Sequence, residues 1–351
     1  MRYLFFGAGA IGTYIGGSLA AAGEPVAFLE RPEMAAVLRR DGLQMTIAGR
    51  TTRIPDAAAY SSAAEALRAG GSDVIVFALK SFDTGAAVET LVPLRGGLPP
   101  ALCLQNGVEN EAALEAAFGR ENVIAGSVTS AVGRDRVGSI TLERKRGIGI
   151  AAGHALSAGL REDFRRAGLN ARLYPSAPAL KWSKMLTNLI ANASAAIVGW
   201  TPRRIYADPR LFLLEREMLR ECLRVMRSGG IAVTDLPGTP VRALAFAVER
   251  LPAPLSRPVL LRAVGGGRGA KMPSFFLDLD SGRGKSEVDW LNGAVSRAGR
   301  RLRTSTPVND LLNATLQDLT VHPEGRVRFL DKPAELLSAL AADDRRRIGL
   351  A

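Results

Sequence analysis

The chain has 351 residues, 47% of them hydrophobic and 23% charged, the balance of an ordinary globular protein long enough for two domains of about 150 residues each. Its formal net charge of +12 raises nucleic acid as a partner, but only five Tyr and three Trp are present for base stacking. The basic residues are mostly scattered Arg, in short clusters at Arg144-Lys145-Arg146, Arg300-Arg301 and Arg345-Arg346-Arg347. With no helix-turn-helix or RNA-binding signature, nucleic acid is set aside, and the charge is read as a general preference for Arg or as attraction for an anionic cofactor and substrate. No apolar run reaches about 18 residues, so no membrane span is expected. Cys103 and Cys222 lack metal-ligand spacing, so no metal is expected, and free thiols fit a cytoplasmic protein.

Arg2 to Phe6 is a short apolar run, better read as a buried first strand than as a cleaved signal. It leads into Gly7-Ala8-Gly9-Ala10-Ile11-Gly12, then a helical pattern at Tyr14, Ile15, Leu19 and Ala22, then a second strand over residues 25–29. A G-x-G-x-x-G between strand and helix is the dinucleotide-binding pattern. Gly7 permits the turn, Gly9 lets a pyrophosphate approach the backbone, and Gly12 lets helix and strand pack closely. Free N–H groups at the helix start then face the phosphates.

Glu30 and Arg31 close the second strand, where the ribose 2′ position is read. An acidic residue there favours NAD, and an Arg favours the 2′-phosphate of NADP. With Glu30 turned away, Arg31 is left to pair with phosphate, so NADP(H) is the expected cofactor. Further strands are expected at residues 73–79 and 102–104. Lys80 and Asn106 follow them, at the carboxyl ends where open parallel sheets bind ligands. Asn106-Gly107 is also a common turn. Shorter strands are expected at residues 122–128, 138–144, 147–151 and 168–174, with hairpin character at Gly133–Gly138.

No Gly or Pro interrupts Leu180 to Val198, and Pro178 lies just ahead, so one continuous helix is expected. On it Lys184, Asn188 and Asn192 are spaced i, i+4, i+8, forming a stripe roughly 12 Å long. A cation and two amides among Met185, Leu186, Leu189 and Ile190 are costly to bury unless something polar faces them. We read that as a substrate, the plainer reading being a partly exposed surface stripe.

The second half reads as helical. Leu211 to Met226 is amphipathic with Gly229-Gly230 as its stop. Residues 237–273 should hold a helix at Thr239–Leu251 and a basic loop around Gly265–Ala270. Ser286 and Asp289 resemble a capping box, placing Glu287 in a first helical turn. Thr306-Pro307 begins the last clear helix, through Leu319, and the Ala-rich end is a trailing helix or a frayed tail.

These pieces resemble the ketopantoate reductase (2-dehydropantoate 2-reductase) family, NADPH-dependent enzymes of the pantothenate and coenzyme A pathway. The resemblance runs over about residues 1–320. It rests on Gly7 to Gly12, Arg31, Lys80, Leu104-Gln105-Asn106-Gly107, Trp182-Ser183-Lys184 with Asn188 and Asn192, Ser274 with Asp278, and Ser286-Glu287-Val288-Asp289. It implies that Lys184 is the catalytic lysine, with Glu287 near it and near the cofactor ribose. Asn106, Asn188, Asn192 and Ser274 would contact substrate. Gly7, Ala8, Gly9, Ala10, Ile11, Gly12, Arg31, Lys80, Asn106 and Glu287 would serve the cofactor.

The implied fold is an α/β Rossmann-type N-terminal domain with a parallel sheet, followed by an all-α C-terminal domain, with the active site in the cleft between them. The expected boundaries are residues 1–176, 177–330 and a tail over 331–351. The partner is a small 2-oxo acid, and a homodimer is compatible with the sequence. Two alternatives stand beside ketopantoate reduction. One is a reductase of another 2-oxo acid, and the other a regulator that binds NADPH without turnover.

Overall fold

The computed structural model describes residues 1–265 and 271–350. The chain divides into two compact units, Met1–Lys181 with Leu236–Thr239, and Trp182–Asp235 with Pro240–Ala351.

The first unit contains β1 (Tyr3–Phe6), α1 (Ala10–Ala21), β2 (Val26–Leu29), α2 (Pro32–Asp41), β3 (Leu43–Ile47), β4 (Arg50–Ile54), β5 (Ala58–Tyr60), α3 (Ala63–Gly70), β6 (Val74–Phe77), α4 (Thr84–Leu91), β7 (Ala101–Cys103), α5 (Asn110–Phe118), β8 (Val123–Val128), β9 (Ala131–Arg136), β10 (Ser139–Arg144), β11 (Ile148–Ala151), α6 (Ser157–Arg166) and β12 (Ala171–Tyr174). Eight strands form one sheet in the order β12-β11-β8-β7-β6-β1-β2-β5. Every pairing in it is parallel except that between β8 and β11.

The central strands are apolar without interruption because both faces of the sheet are covered. Their side chains alternate between two cores. Tyr3, Phe5, Val74, Val76 and Leu102 join one, and Leu4, Ile75, Phe77, Ala101 and Cys103 join the other. A one-residue slip of register would exchange these two sets.

A second sheet of four strands, order β4-β3-β10-β9, packs on α1. The hairpin expected near Gly133–Gly138 is its β9–β10 pair. The β3–β4 hairpin was not expected, although Leu43, Met45 and Ile47 alternate with polar residues, and Ala48 and Gly49 form the turn at φ +49° and +79°.

The helix expected from Leu180 to Val198 is two helices, α7 (Ala177–Leu189) and α8 (Ala193–Val198). Ala191 between them adopts φ +47°. The cause lies far along the chain, in the buried carboxylate of Glu215. It accepts the Ala191 N–H at 2.7 Å and the Ser194 hydroxyl at 2.6 Å, offering the backbone a partner outside the helical ladder.

The second unit continues with α9 (Pro202–Ala207), α10 (Pro209–Ser228), α11 (Val241–Glu249), α12 (Ala253–Gly265), α13 (Ser274–Asp280), α14 (Ala294–Arg301), α15 (Pro307–Val321), α16 (Pro333–Ser338) and α17 (Ala342–Ile348). Helix α10 is its axis, touching α9, α11, α14, α15, α16 and α17. Its start is capped by Asp208, which accepts from the N–H groups of Arg210 and Leu211 at 2.9 and 3.0 Å. The chain end is folded, with Leu336, Leu337 and Leu340 buried. The loop expected at Gly265–Ala270 lies, from residue 266 onward, outside the described residues. The capping box expected at Ser286 is absent. Ser286 accepts from Val288 N–H only two residues on, and Asp289–Gly293 forms a wide π-type turn instead, leaving Glu287 buried just before it.

Candidate functional site

In the first unit, four adjacent strands end on the same edge. In sheet order β7, β6, β1, β2 they are followed by Asn106, Lys80, the Gly7–Gly12 turn and the pair Glu30-Arg31. Neighbouring strands lie about 4.8 Å apart, so these groups span roughly 14 Å of sheet edge. The chain order reverses direction across the sheet at β1, which pairs with β2 on one side and β6 on the other. That is the switch point where open α/β sheets bind ligands.

The glycine turn is built tightly. Gly7 sits at φ +100°, and a Cβ on Gly12 would lie 1.9 Å from the Gly7 carbonyl oxygen. Both positions are therefore closed to any side chain. Gly9 differs: its φ is −70°, and a Cβ there would meet no protein atom within 4 Å. Gly9 also precedes α1 without a side-chain cap. The open space and uncapped helix start fit a phosphate group.

Glu30 does not turn away from this turn. Its carboxylate accepts from the Ala8 N–H at 2.7 Å and from the Arg31 N–H at 3.2 Å. Arg31 is exposed at the start of α2.

The Lys80 and Asn106 loops are stitched together. The Asn106 carbonyl accepts from the Ser81 hydroxyl at 2.9 Å and from Asn110 Nδ2 at 2.6 Å. Gln105 donates to the Thr84 hydroxyl at 2.7 Å, and Thr84 donates to Asn110 Oδ1 at 3.0 Å. Ser81, Thr84, Gln105 and Asn110 were not singled out from the sequence. Their signal there is only that of polar residues beside apolar strand ends, and burial is what reveals them.

In the second unit, Lys184 and Asn188 lie half-buried on successive turns of α7. Asn192 follows at the break. Its Nδ2 donates to the Asn188 carbonyl at 3.2 Å and to the Ser274 hydroxyl at 3.3 Å, and its Oδ1 accepts the Phe275 N–H at 3.1 Å. The Asn192 amide thus joins the Asn188 main chain to Ser274, at the start of α13. The break at Ala191 interrupts the straight i, i+4, i+8 stripe just before Asn192. Glu215 was missed from the sequence because an acid in an amphipathic helix carries no sign of its partner. Burial raises its carboxyl pKa to about 7, against the opposing hydrogen bonds from Ser194, Ala191 and Tyr206. Among the described residues, no group of three or more His, Cys, Asp or Glu side chains is placed to hold a metal, and no helix is long and apolar enough to cross a membrane.

A glycine turn at the switch point of a parallel sheet, joined in one chain to a helical unit carrying a lysine and amides, defines a nicotinamide-dinucleotide-dependent oxidoreductase. Comparison with known proteins specifies it further. The family model "Ketopantoate reductase PanE/ApbA" matches residues 3–154, and "Ketopantoate reductase PanE/ApbA C terminal" matches residues 178–320. The chain belongs to the ketopantoate reductase family. It is 28% identical over 347 residues to the 2-dehydropantoate 2-reductase of Mesorhizobium japonicum, covering 92% of this chain and 98% of the relative. It is 28% identical over 318 residues to that of Halobacterium salinarum, covering 88% and 95%. A ketopantoate reductase family structure from Ralstonia eutropha superposes with TM-score 0.77 at 25% identity, covering 92% of this chain and all (100%) of that one. D-mandelate dehydrogenase with NADH and anilino(oxo)acetate, at 20% identity and TM-score 0.76 over 92% of this chain and 100% of that one, shares the fold.

Proposed function

We propose that the protein reduces 2-dehydropantoate (ketopantoate) to pantoate, with Lys184 as the general acid. The supporting observation is the Asn192 amide bonded to both the Asn188 carbonyl and the Ser274 hydroxyl, with Lys184 one turn before Asn188 on α7. Reduction of a 2-oxo acid needs a hydride at the carbonyl carbon and a proton at its oxygen. The nicotinamide cofactor supplies the hydride when bound. Lys184 donates a hydrogen bond to the carbonyl oxygen, stabilises the developing alkoxide and delivers the proton. Asn188, Ser274 and Asn106 hold the carboxylate and hydroxyl groups of the substrate, Asn192 sets the Ser274 hydroxyl, and Glu287 orients the lysine. Gly9, Ala10, Ile11 and Gly12 hold the pyrophosphate, the Ala8 N–H being taken by Glu30, with Lys80 beside it.

For the cofactor, Arg31 by itself supports NADPH. That expectation required Glu30 to turn away, and its carboxylate instead lies against the Ala8 N–H. A carboxylate there accepts from a ribose hydroxyl and repels a 2′-phosphate, so we favour NADH.

The test is steady-state oxidation of NADH and NADPH with ketopantoate beside other branched 2-oxo acids. A kcat/KM for ketopantoate above the rest supports the assignment. A clear preference for another oxo acid moves the substrate while keeping the chemistry. Dinucleotide binding without turnover of any oxo acid replaces the enzyme with a cofactor-sensing regulator.

A further inference from the structure

We propose that Lys181 and Glu111 are a positioning pair that fixes the backbone of the Asn106 loop against the first turn of α7, and that 2-oxo acid affinity depends on it. The proposal rests on the reading of Asn106 as a substrate contact. Lys181 is 5% exposed and forms an ion pair with Glu111 at 2.6 Å. Its ammonium also donates to the Gln105 carbonyl at 2.7 Å and to the Gly126 carbonyl at 3.3 Å. Two of the ammonium's protons thus go to carbonyl oxygens, and the carboxylate balances its charge.

The placement of the acceptors carries the argument. The Gln105 carbonyl belongs to the peptide group just before Asn106, and Lys181 holds it. The Asn106 carbonyl belongs to the peptide group just after, and Ser81 and Asn110 hold it at 2.9 and 2.6 Å. Both peptide planes flanking the Asn106 Cα are therefore pinned, which leaves its side-chain torsions as its remaining freedom. Glu111 and Asn110 share the first turn of α5, so one helix end serves both anchors. A buried ion pair is a costly way to fill space, since apolar side chains of like volume usually stabilise as well or better. Apolar groups, however, cannot hold two carbonyl oxygens. Lys181 also stands on α7, the helix that goes on to carry Lys184.

The experiment compares wild type with Lys181→Met/Glu111→Leu and with Glu111→Gln. Three quantities are measured: thermal midpoint, KM and kcat for the preferred 2-oxo acid, and amide hydrogen exchange at Gln105–Gly107. The double variant should lower the midpoint by several degrees because two carbonyls lose their donor, raise the oxo-acid KM about tenfold with a smaller change in kcat, and speed exchange in the loop. Glu111→Gln, which keeps the shape and the lysine's carbonyl bonds, should change KM and exchange in the same direction by less. It also decides the matter if the double variant does not fold. Wild-type KM and wild-type exchange in the variants overturn the proposal and leave the pair a packing element. If wild type reduces no 2-oxo acid, the substrate reading fails on its own. Loop exchange then judges the pair, with unchanged protection overturning it.

Discussion

Two glycines of the same turn should fail in different ways when each is replaced by alanine. A Cβ on Gly12 would lie 1.9 Å from the Gly7 carbonyl oxygen, whereas a carbon and an oxygen in contact sit about 3.3 Å apart. The obstacle is backbone, so no side chain can swing aside, and strand and helix must separate by roughly 1.4 Å. Overpacking of this kind costs about 1–3 kcal/mol. For a unit of this size that is a fall in Tm of about 2–12 °C. Gly9→Ala should leave Tm within about 1 °C, because its backbone is ordinary and a Cβ there meets no protein atom within 4 Å. Its methyl would instead occupy the space into which a pyrophosphate comes, and dinucleotide affinity should fall about tenfold or more. Calorimetry measures the first effect and titration of NADH or NADPH the second. Wild-type affinity in Gly9→Ala would remove the cofactor from this turn, and an unchanged Tm in Gly12→Ala would refute the packing argument.

Lys184→Ala should lower kcat/KM by about 10²-fold or more, the size of a lost general acid, with the circular dichroism spectrum unchanged. Near-normal turnover on the preferred substrate ends that assignment. Glu30→Ala should raise the kcat/KM ratio of NADPH to NADH about tenfold, as removal of one charge near a phosphate in partly aqueous surroundings does. An unmoved ratio shows that Glu30 does not read the ribose. Burial raises the carboxyl pKa of Glu215 and of Glu221 from 4.5 to about 7, despite opposing hydrogen bonds to each. The folded state thus binds these protons more tightly than the unfolded one. The resulting stability is fully present below pH 4.5 and is lost as pH rises through about 7, by at most about 3 kcal/mol per group. Trp182, Trp200 and Trp290 all lie in the second unit, so tryptophan fluorescence during urea unfolding reports on it specifically. A midpoint that does not fall over that range in wild type, or falls equally in Glu215→Gln, contradicts the argument.

The strand ends and the glycine turn were legible in the sequence because their determinants are local. A tight turn excludes a side chain at Gly7 whatever surrounds it, and uninterrupted apolar runs mark strands covered on both faces. The same holds for α10, whose apolar stripe and Asp208 cap are properties of consecutive residues. Lys184 and Asn188 could be placed on one helix face by spacing alone. Asn192 could not, because its orientation depends on Glu215, a residue on another helix whose carboxylate draws the Ala191 N–H out of the helical ladder. The condition attached to Arg31 failed for a related reason. Whether Glu30 faces the glycine turn is decided by an unpaired Ala8 N–H 22 residues earlier, and that match appears only when the strands are paired.

Local chemistry therefore determined the fold class, the glycine turn and the residues that carry charge or amide groups. Tertiary structure decided which of these groups meet, because each buried N–H and carbonyl takes the nearest partner that folding supplies, however distant along the chain.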